Sequence, residues 1–180
     1  MTCIVGITDG KRIVVGADSA GSSPDNPELY SIAVDKVWKT GEYLVGICGS
    51  YRAGQIARWE MDWPEPPEPG ADLERFVVRD IVRALRQALQ TAGASPSTEG
   101  RTQLLIGLRG ELFSIGGDYS ALKLTEPWIA IGSGRHHAYG ALHALAAIEL
   151  EPEEKVRRAL AAAQSHTANV REPFHVLSVG

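Results

Sequence analysis

Apolar positions along the chain come in two rhythms. Cys3–Ile7 and Lys11–Ala17 are short, near-continuous apolar runs around Thr8-Asp9-Gly10, and Asp-Gly between such runs predicts a β-hairpin. Ser22–Pro27 is a cluster of turn-forming residues and predicts a loop. Strands are expected at Tyr30–Val34 and Val37–Lys39, and then, through Thr40-Gly41-Glu42, at Tyr43–Cys48, which ends at Gly49-Ser50. Tyr51–Met61 suits a short helix. Trp63–Gly70 holds four prolines in eight residues and reads as a stiff, extended helix–helix connector rather than a ligand for a proline-binding module. From Asp72, a helix-capping residue, the rhythm changes: Leu73, Phe76/Val77, Ile81, Leu85 and Leu89 recur at helical spacing up to Gly93. A polar loop follows to Gly100.

The second half uses the same parts in another order. Gln103–Leu108 and Glu111–Ile115 flank Arg109-Gly110, a second hairpin pattern. Trp128–Ile131 is a short strand running into Gly132-Ser133-Gly134. Helices are expected over His136–Leu150 and Pro152–Ser165, the latter with proline in its first turn and Glu153 and Glu154 behind it. Phe174–Val179 is a last strand. Strands grouped apart from helices predict an α+β fold rather than a doubly wound parallel sheet. At 180 residues the chain suits one domain, 1–180.

Composition narrows the function classes. A net charge of −4 gives no electrostatic footprint for nucleic acid or an anionic membrane surface. No apolar run approaches membrane-spanning length, and Cys3–Ile7 is too short for a signal peptide, so the expected location is cytoplasmic. Two cysteines, Cys3 and Cys48, both in apolar runs, read as buried small hydrophobes. His136, His137 and His143 share one expected helix, but no HExxH motif or Cys–carboxylate set accompanies them, so neither a metal nor a cofactor is expected.

The candidate chemistry starts at Met1-Thr2. Removal of a methionine that precedes a small residue would leave Thr2 with a nucleophilic hydroxyl and, in its own α-amine, a base of pKa about 7.7–8.0. Asp18 ends the second strand of the opening hairpin, which returns it to the end of the sheet where Thr2 lies. A Lys such as Lys36, if close to that amine, would keep it neutral by like-charge repulsion, and an Asp would hold the Lys in place. Gly49 suits a backbone N–H aimed at a developing oxyanion. Gly132-Ser133-Gly134 lies between a strand and a helix but lacks the spacing of a nucleotide-binding loop.

In this order the motifs resemble a known family. Thr2-Cys3-Ile4-Val5-Gly6-Ile7, Val14-Val15-Gly16-Ala17-Asp18-Ser19 and Asp35-Lys36-Val37 resemble the opening of proteasome β-type subunits and of the related bacterial ATP-dependent peptidase subunit. Val45-Gly46-Ile47-Cys48-Gly49-Ser50 and Ile131-Gly132-Ser133-Gly134, followed by Ala138-Tyr139-Gly140-Ala141-Leu142, continue the likeness over nearly the whole chain. The resemblance is to proteasome-like N-terminal nucleophile hydrolases and implies a four-layer αββα sandwich. It also implies Thr2 as nucleophile, its amine as general base, Asp18 and Lys36 as their supports, Gly49 N–H as oxyanion donor and Ser133 near the amine. Ile47 would form the floor of the primary specificity pocket, which suggests cleavage after hydrophobic residues, and Ala20 and Gly21 would lie along the substrate.

The sequence departs from the family in two places. The stretch from Asp18 to Lys36 is about two residues longer than the family's spacing, which would reshape the loop Ser22–Pro27. Near the C-terminus, Gln164-Ser165-His166-Thr167-Ala168-Asn169 offers no Asp where the family has one, leaving Ser165 or Asn169 as substitutes. With no propeptide expected, loss of Met1 alone would unmask Thr2.

The leading expectation is a threonine-type endopeptidase that acts on peptide or protein substrates within a homo-oligomeric ring; an ATP-dependent unfoldase is a partner class the sequence leaves open. The alternatives are a small-molecule amidohydrolase on the same scaffold and a non-catalytic assembly protein, like the inactive subunits of proteasome rings.

Overall fold

In the computed structural model, which describes residues 2–23, 26–31, 35–94 and 102–180, the opening hairpin forms as the apolar runs predict. β1 (Cys3–Thr8) and β2 (Ile13–Ala17) pair antiparallel, with Ile4 opposite Ala17 and Thr8 opposite Ile13. Their connection is longer than a two-residue turn: Asp9 Oδ1 accepts from the backbone N–H of Lys11 and of Arg12, closing an Asx turn. β3 (Ala20–Ser23) and β4 (Asn26–Ser31) follow as a separate antiparallel pair, then β5 (Val37–Thr40) and β6 (Tyr43–Cys48). After α1 (Tyr51–Trp59), α2 (Leu73–Phe76) runs through a π-helical segment, Val77–Ile81, into α3 (Val82–Thr91). The second half contributes β7 (Gln103–Leu108), β8 (Glu111–Ile115), β9 (Ala121–Lys123) and β10 (Trp128–Gly132). It ends with α4 (Arg135–Leu145), α5 (Pro152–His166) and β11 (His175–Val179).

Two larger antiparallel sheets result, ordered β10-β1-β2-β11 and β5-β6-β7-β8-β9. Strand alternation divides the apolar residues between two faces. Ile4, Ile13 and Val15 of the first sheet meet Val37, Leu44 and Leu105 of the second in a core between the sheets. The opposite faces are just as apolar. Cys3, Val5 and Val14 pack on α4 and α5, through Ala138, Leu142, Val156 and Leu160. Trp38, Tyr43, Val45 and Ile47 pack on α1 and α3, through Ile56, Leu85 and Leu89. Burial on both faces explains why these strands read as continuous apolar runs, and it makes the fold a four-layer αββα sandwich. Among the described residues, no helix is long and apolar enough to cross a membrane.

The differences from the sequence expectation have local causes. Ser22–Pro27, expected as a loop, supplies the ends of β3 and β4: Gly21 pairs with Tyr30 and Ser23 with Asn26, and a two-stranded edge tolerates Pro27. The end of the expected strand Tyr30–Val34, like most of the polar loop to Gly100, lies outside the described residues. β9 is three residues long, too short to show a period. The expected helix to Leu150 stops at Leu145. The Asp72 helix starts as expected, with its carboxylate accepting from Arg75 N–H, but it contains the π segment. Val77, Ile81, Leu85 and Leu89 are spaced by fours, a step that outruns a 3.6-residue turn by about 40° each time. A wider π turn takes up part of that drift and keeps Val77 and Ile81 both buried. The proline-rich connector packs on the protein itself: the Trp63 ring lies 4.9 Å from that of Tyr43, and Trp63 Nε1 donates to Ala57 O at 2.8 Å.

Candidate active site

The hairpin and its neighbours bring the N-terminal segment, the end of β2 and the start of β5 to one edge of the sandwich. Asp18, one residue past β2, is buried and gathers three donors. Its Oδ1 accepts from Cys3 N–H at 2.9 Å and from Lys36 Nζ at 2.9 Å, while Oδ2 accepts from Ala20 N–H at 2.9 Å. Lys36, equally buried just before β5, also donates to Ala20 O at 2.7 Å. Burial pushes the Lys36 ammonium below its ordinary pKa, and the Asp18 carboxylate opposes that shift. The pair therefore sits in a dry place beside Thr2, itself buried, with Thr2 and Lys36 lining one pocket. Asp18, Lys36 and Thr2 thus share one edge of the sandwich.

Thr2 is gripped from the far side by the β10–α4 turn. Ser133 Oγ lies 3.3 Å from both Thr2 N and Thr2 O, accepting from the first and donating to the second, and Gly134 N–H donates to Thr2 O at 3.3 Å. While Met1 is attached, Thr2 N is a peptide nitrogen; its removal would turn the same atom into an amine at the same hydroxyl. The close approach has a requirement at Gly132, whose φ is +90° and where an added Cβ would stand 2.2 Å from Thr2 O. Gly132→Ala is expected to lower the melting temperature by several degrees, through strain at positive φ and displacement of Thr2. Thermal unfolding followed by circular dichroism checks this, and an unchanged midpoint would contradict it.

The pocket beside Thr2 spans about 410 Å³, part of it open to solvent. Its walls come from the end of β6, from Gly49-Ser50 and from one face of α1. Gly49, with φ +102°, lines the pocket together with Thr2. Ser50 caps α1 by accepting from Ala53 N–H at 3.2 Å, which fixes the direction in which that helix leaves. Ile47 reaches the pocket from β6, with Trp38 from β5 beside it and Gly54 across from it. Cys48 also lines the pocket, but burial raises its thiol pKa to about 11, so near neutral pH it stays protonated and is a poor nucleophile.

Ala20 and Gly21 are buried at the start of β3 and are not among the pocket's lining residues. Ala20 instead joins the Asp18–Lys36 network through both its N–H and its carbonyl, and Tyr51 Oη approaches that carbonyl at 3.5 Å. At the C-terminal end, Ser165 is exposed, and its hydroxyl donates to Ala161 O of its own helix at 3.0 Å. A different hydroxyl ties the C-terminal segment to the site: Ser19, next to Asp18, bonds Arg171 O through its N–H at 2.9 Å and Pro173 O through Oγ. His137 and His166 bring their rings to 5.3 Å, and no group of three or more metal-binding side chains occurs among the described residues.

The sequence reading missed the α1 side of the pocket: Tyr51, Gln55, Arg58 and Trp59, together with Asp35 and Trp38. A signal was available, because Tyr51, Gln55 and Arg58 are spaced i, i+4, i+7 directly after Gly49-Ser50 and so share one helix face.

No protein-family model matches the sequence, and no curated protein matches it significantly. Solved structures do match. BPH of Thiobacillus denitrificans, in complex with epoxomicin, superposes with a TM-score of 0.78 at 20% identity, covering 99% of this chain and 98% of that one. HslV of Trypanosoma brucei gives 0.72 at 18%, covering 98% of both chains. An Anbu mutant of Hyphomicrobium sp. strain MC1 gives 0.71 at 16%, covering 98% of this chain and 80% of that one. Identities this low carry the fold and not the chemistry: the chain has the fold of the HslV- and proteasome-like subunits.

Proposed function

We propose that this chain is a threonine-type peptidase subunit that becomes active when Met1 is removed, and that it works in a homo-oligomeric ring. The observation that carries the reading is the buried Asp18–Lys36 pair set against Thr2 at the head of a largely apolar pocket. Burying an ion pair is costly, and a purely structural core would be served as well by apolar residues of similar volume. Beside a threonine α-amine the same pair has work to do: the Lys36 ammonium lowers the amine's proton affinity, and Asp18 keeps that ammonium charged and in place.

The reaction follows from these positions. Thr2 Oγ attacks the carbonyl carbon of the scissile amide as its proton passes to the Thr2 amine. The oxyanion is met by Gly49 N–H. The amine then protonates the leaving nitrogen, and an ester to Thr2 remains. Water, deprotonated by the same amine, releases the acid and restores the hydroxyl. Ser133 Oγ, already within 3.3 Å of Thr2 N, would orient the amine. Ile47 and Trp38 favour an apolar side chain on the N-terminal side of the cut bond. Ring assembly supplies the confinement that an open pocket on a small subunit lacks. A cytoplasmic setting, peptide or protein substrates and an unfoldase partner belong to the same proposal.

Intact mass spectrometry of the purified protein, with and without epoxomicin, tests it. The expected result is a chain lacking Met1 that gains one epoxomicin mass. A chain that keeps Met1 and stays unmodified would overturn the peptidase reading in favour of a non-catalytic assembly subunit.

A further inference from the structure

The pocket beside Thr2 contains an ion pair that the nucleophile machinery does not use. Asp35 and Arg58 both line it. The guanidinium reaches Asp35 Oδ2 from Nη1 at 3.4 Å and from Nη2 at 3.3 Å, and it lies over two indoles, 4.7 Å from the centroid of Trp59 and 5.9 Å from that of Trp38. The Arg58 and Asp35 side chains are 23% and 42% exposed, respectively, which places the pair at the pocket's mouth, within reach of an entering side chain. Deeper in, the walls are Trp38, Ile47 and Gly54, with no charge of their own. The remaining charged lining group, Lys36, is balanced by Asp18.

We propose that Asp35 and Arg58 are specificity-determining residues: paired, they make the mouth electrically neutral and confine the pocket to uncharged side chains at the residue N-terminal to the cut bond. The proposal rests on the peptidase reading above. A basic substrate side chain at the mouth finds Asp35 already paired with Arg58, and an acidic one finds Arg58 already paired with Asp35. Neither gains a partner without breaking a pair that already exists, so both give up their hydration for little return. The neutrality is that of a balance and not of an apolar wall, and it therefore fails in a defined direction when one member is removed. Without Arg58, an unpaired carboxylate faces the pocket; without Asp35, an unpaired guanidinium does. His175 Nδ1, 3.6 Å from the other Asp35 oxygen, also faces the pair, so comparisons belong at one fixed pH.

The test uses the full chain and a set of fluorogenic peptides that differ only at that residue, with Leu, Phe, Glu or Lys. A side-chain-free β-lactone, which reports Thr2 reactivity independently of the pocket, serves as control. The wild-type protein is expected to favour Leu and Phe over Glu and Lys in kcat/KM. Arg58→Gln should raise the Lys-to-Leu ratio roughly tenfold or more, Asp35→Asn should raise the Glu-to-Leu ratio similarly, and the double variant should return toward the wild-type order. A general loss of fold or of catalysis would lower all substrates together and leave these ratios in place. If the lactone labels Thr2 but both single variants keep wild-type ratios, the specificity proposal is overturned while the peptidase reading stands. If the wild-type protein takes no lactone and cuts no peptide, both fall together.

Discussion

Thr2→Ala is expected to abolish amide turnover, a loss on the order of 10⁴-fold or more, because it removes the hydroxyl proposed to form the acyl intermediate while leaving the pocket intact. Alanine after the initiator Met is as small as threonine, so Met1 should still be removed and the α-amine still present. The comparison therefore isolates the hydroxyl. Thr2→Ser, which keeps Oγ and loses a methyl, is expected to retain activity within about a hundredfold of wild type. Epoxomicin adduct mass and peptide hydrolysis provide the two readouts. A Thr2→Ala protein that still takes the probe at full stoichiometry would show that the nucleophile lies elsewhere. Cys48 is the nearest candidate in the pocket, and its raised pKa argues against it.

The parts of this site that were legible in the sequence are those fixed by strand geometry. A hairpin returns the chain to its starting edge, so Asp18 had to lie near Thr2 once Cys3–Ile7 and Lys11–Ala17 were recognised as its two strands. Lys36 came instead from the likeness of Asp35-Lys36-Val37 to the family's motif. What could not be read was the side of the pocket built by contacts distant in sequence. Arg58 joins Asp35 across twenty-three positions, and Ser19 holds Pro173 across one hundred and fifty-four. Neither pairing leaves a period or a motif. The π segment was hidden for the opposite reason: its spacing of fours looks like an ordinary helix over one turn and departs from it only over several. Ala20 and Gly21 carry a related lesson. The family resemblance put them along the substrate, whereas in this fold Ala20 also serves the ion pair, holding Lys36 through its carbonyl and Asp18 through its N–H. A residue assigned by resemblance to one partner can be part of the structure that orients another.

The Asp18–Lys36 pair is where stability and chemistry are most tightly joined, and Asp18→Ala is expected to cost about 3–5 kcal/mol, a fall in melting temperature of about 10 °C or more. The loss comes less from the missing attraction than from what remains: a buried ammonium whose nearest acceptor is Ala20 O, and backbone N–H groups of Cys3 and Ala20 stripped of their acceptor. The pH dependence gives the argument a sign. Burial already lowers the Lys36 pKa in the folded protein, so the unfolded chain binds the proton more tightly, and stability rises with pH between the folded and unfolded values. Removing the carboxylate that opposes the shift lowers the folded value further and widens that window downward. The deficit of Asp18→Ala should therefore shrink as pH is raised from neutral into the alkaline range, where Lys36 can fold uncharged. Urea unfolding at two pH values measures this; a deficit that grows with pH would exclude a buried, charged Lys36 as its source. The double variant Asp18→Ala/Lys36→Met separates the two roles of the pair. With no charge left to bury, stability should recover by much of the loss. Turnover should not recover, because the Thr2 amine would then have no neighbouring cation to keep it neutral.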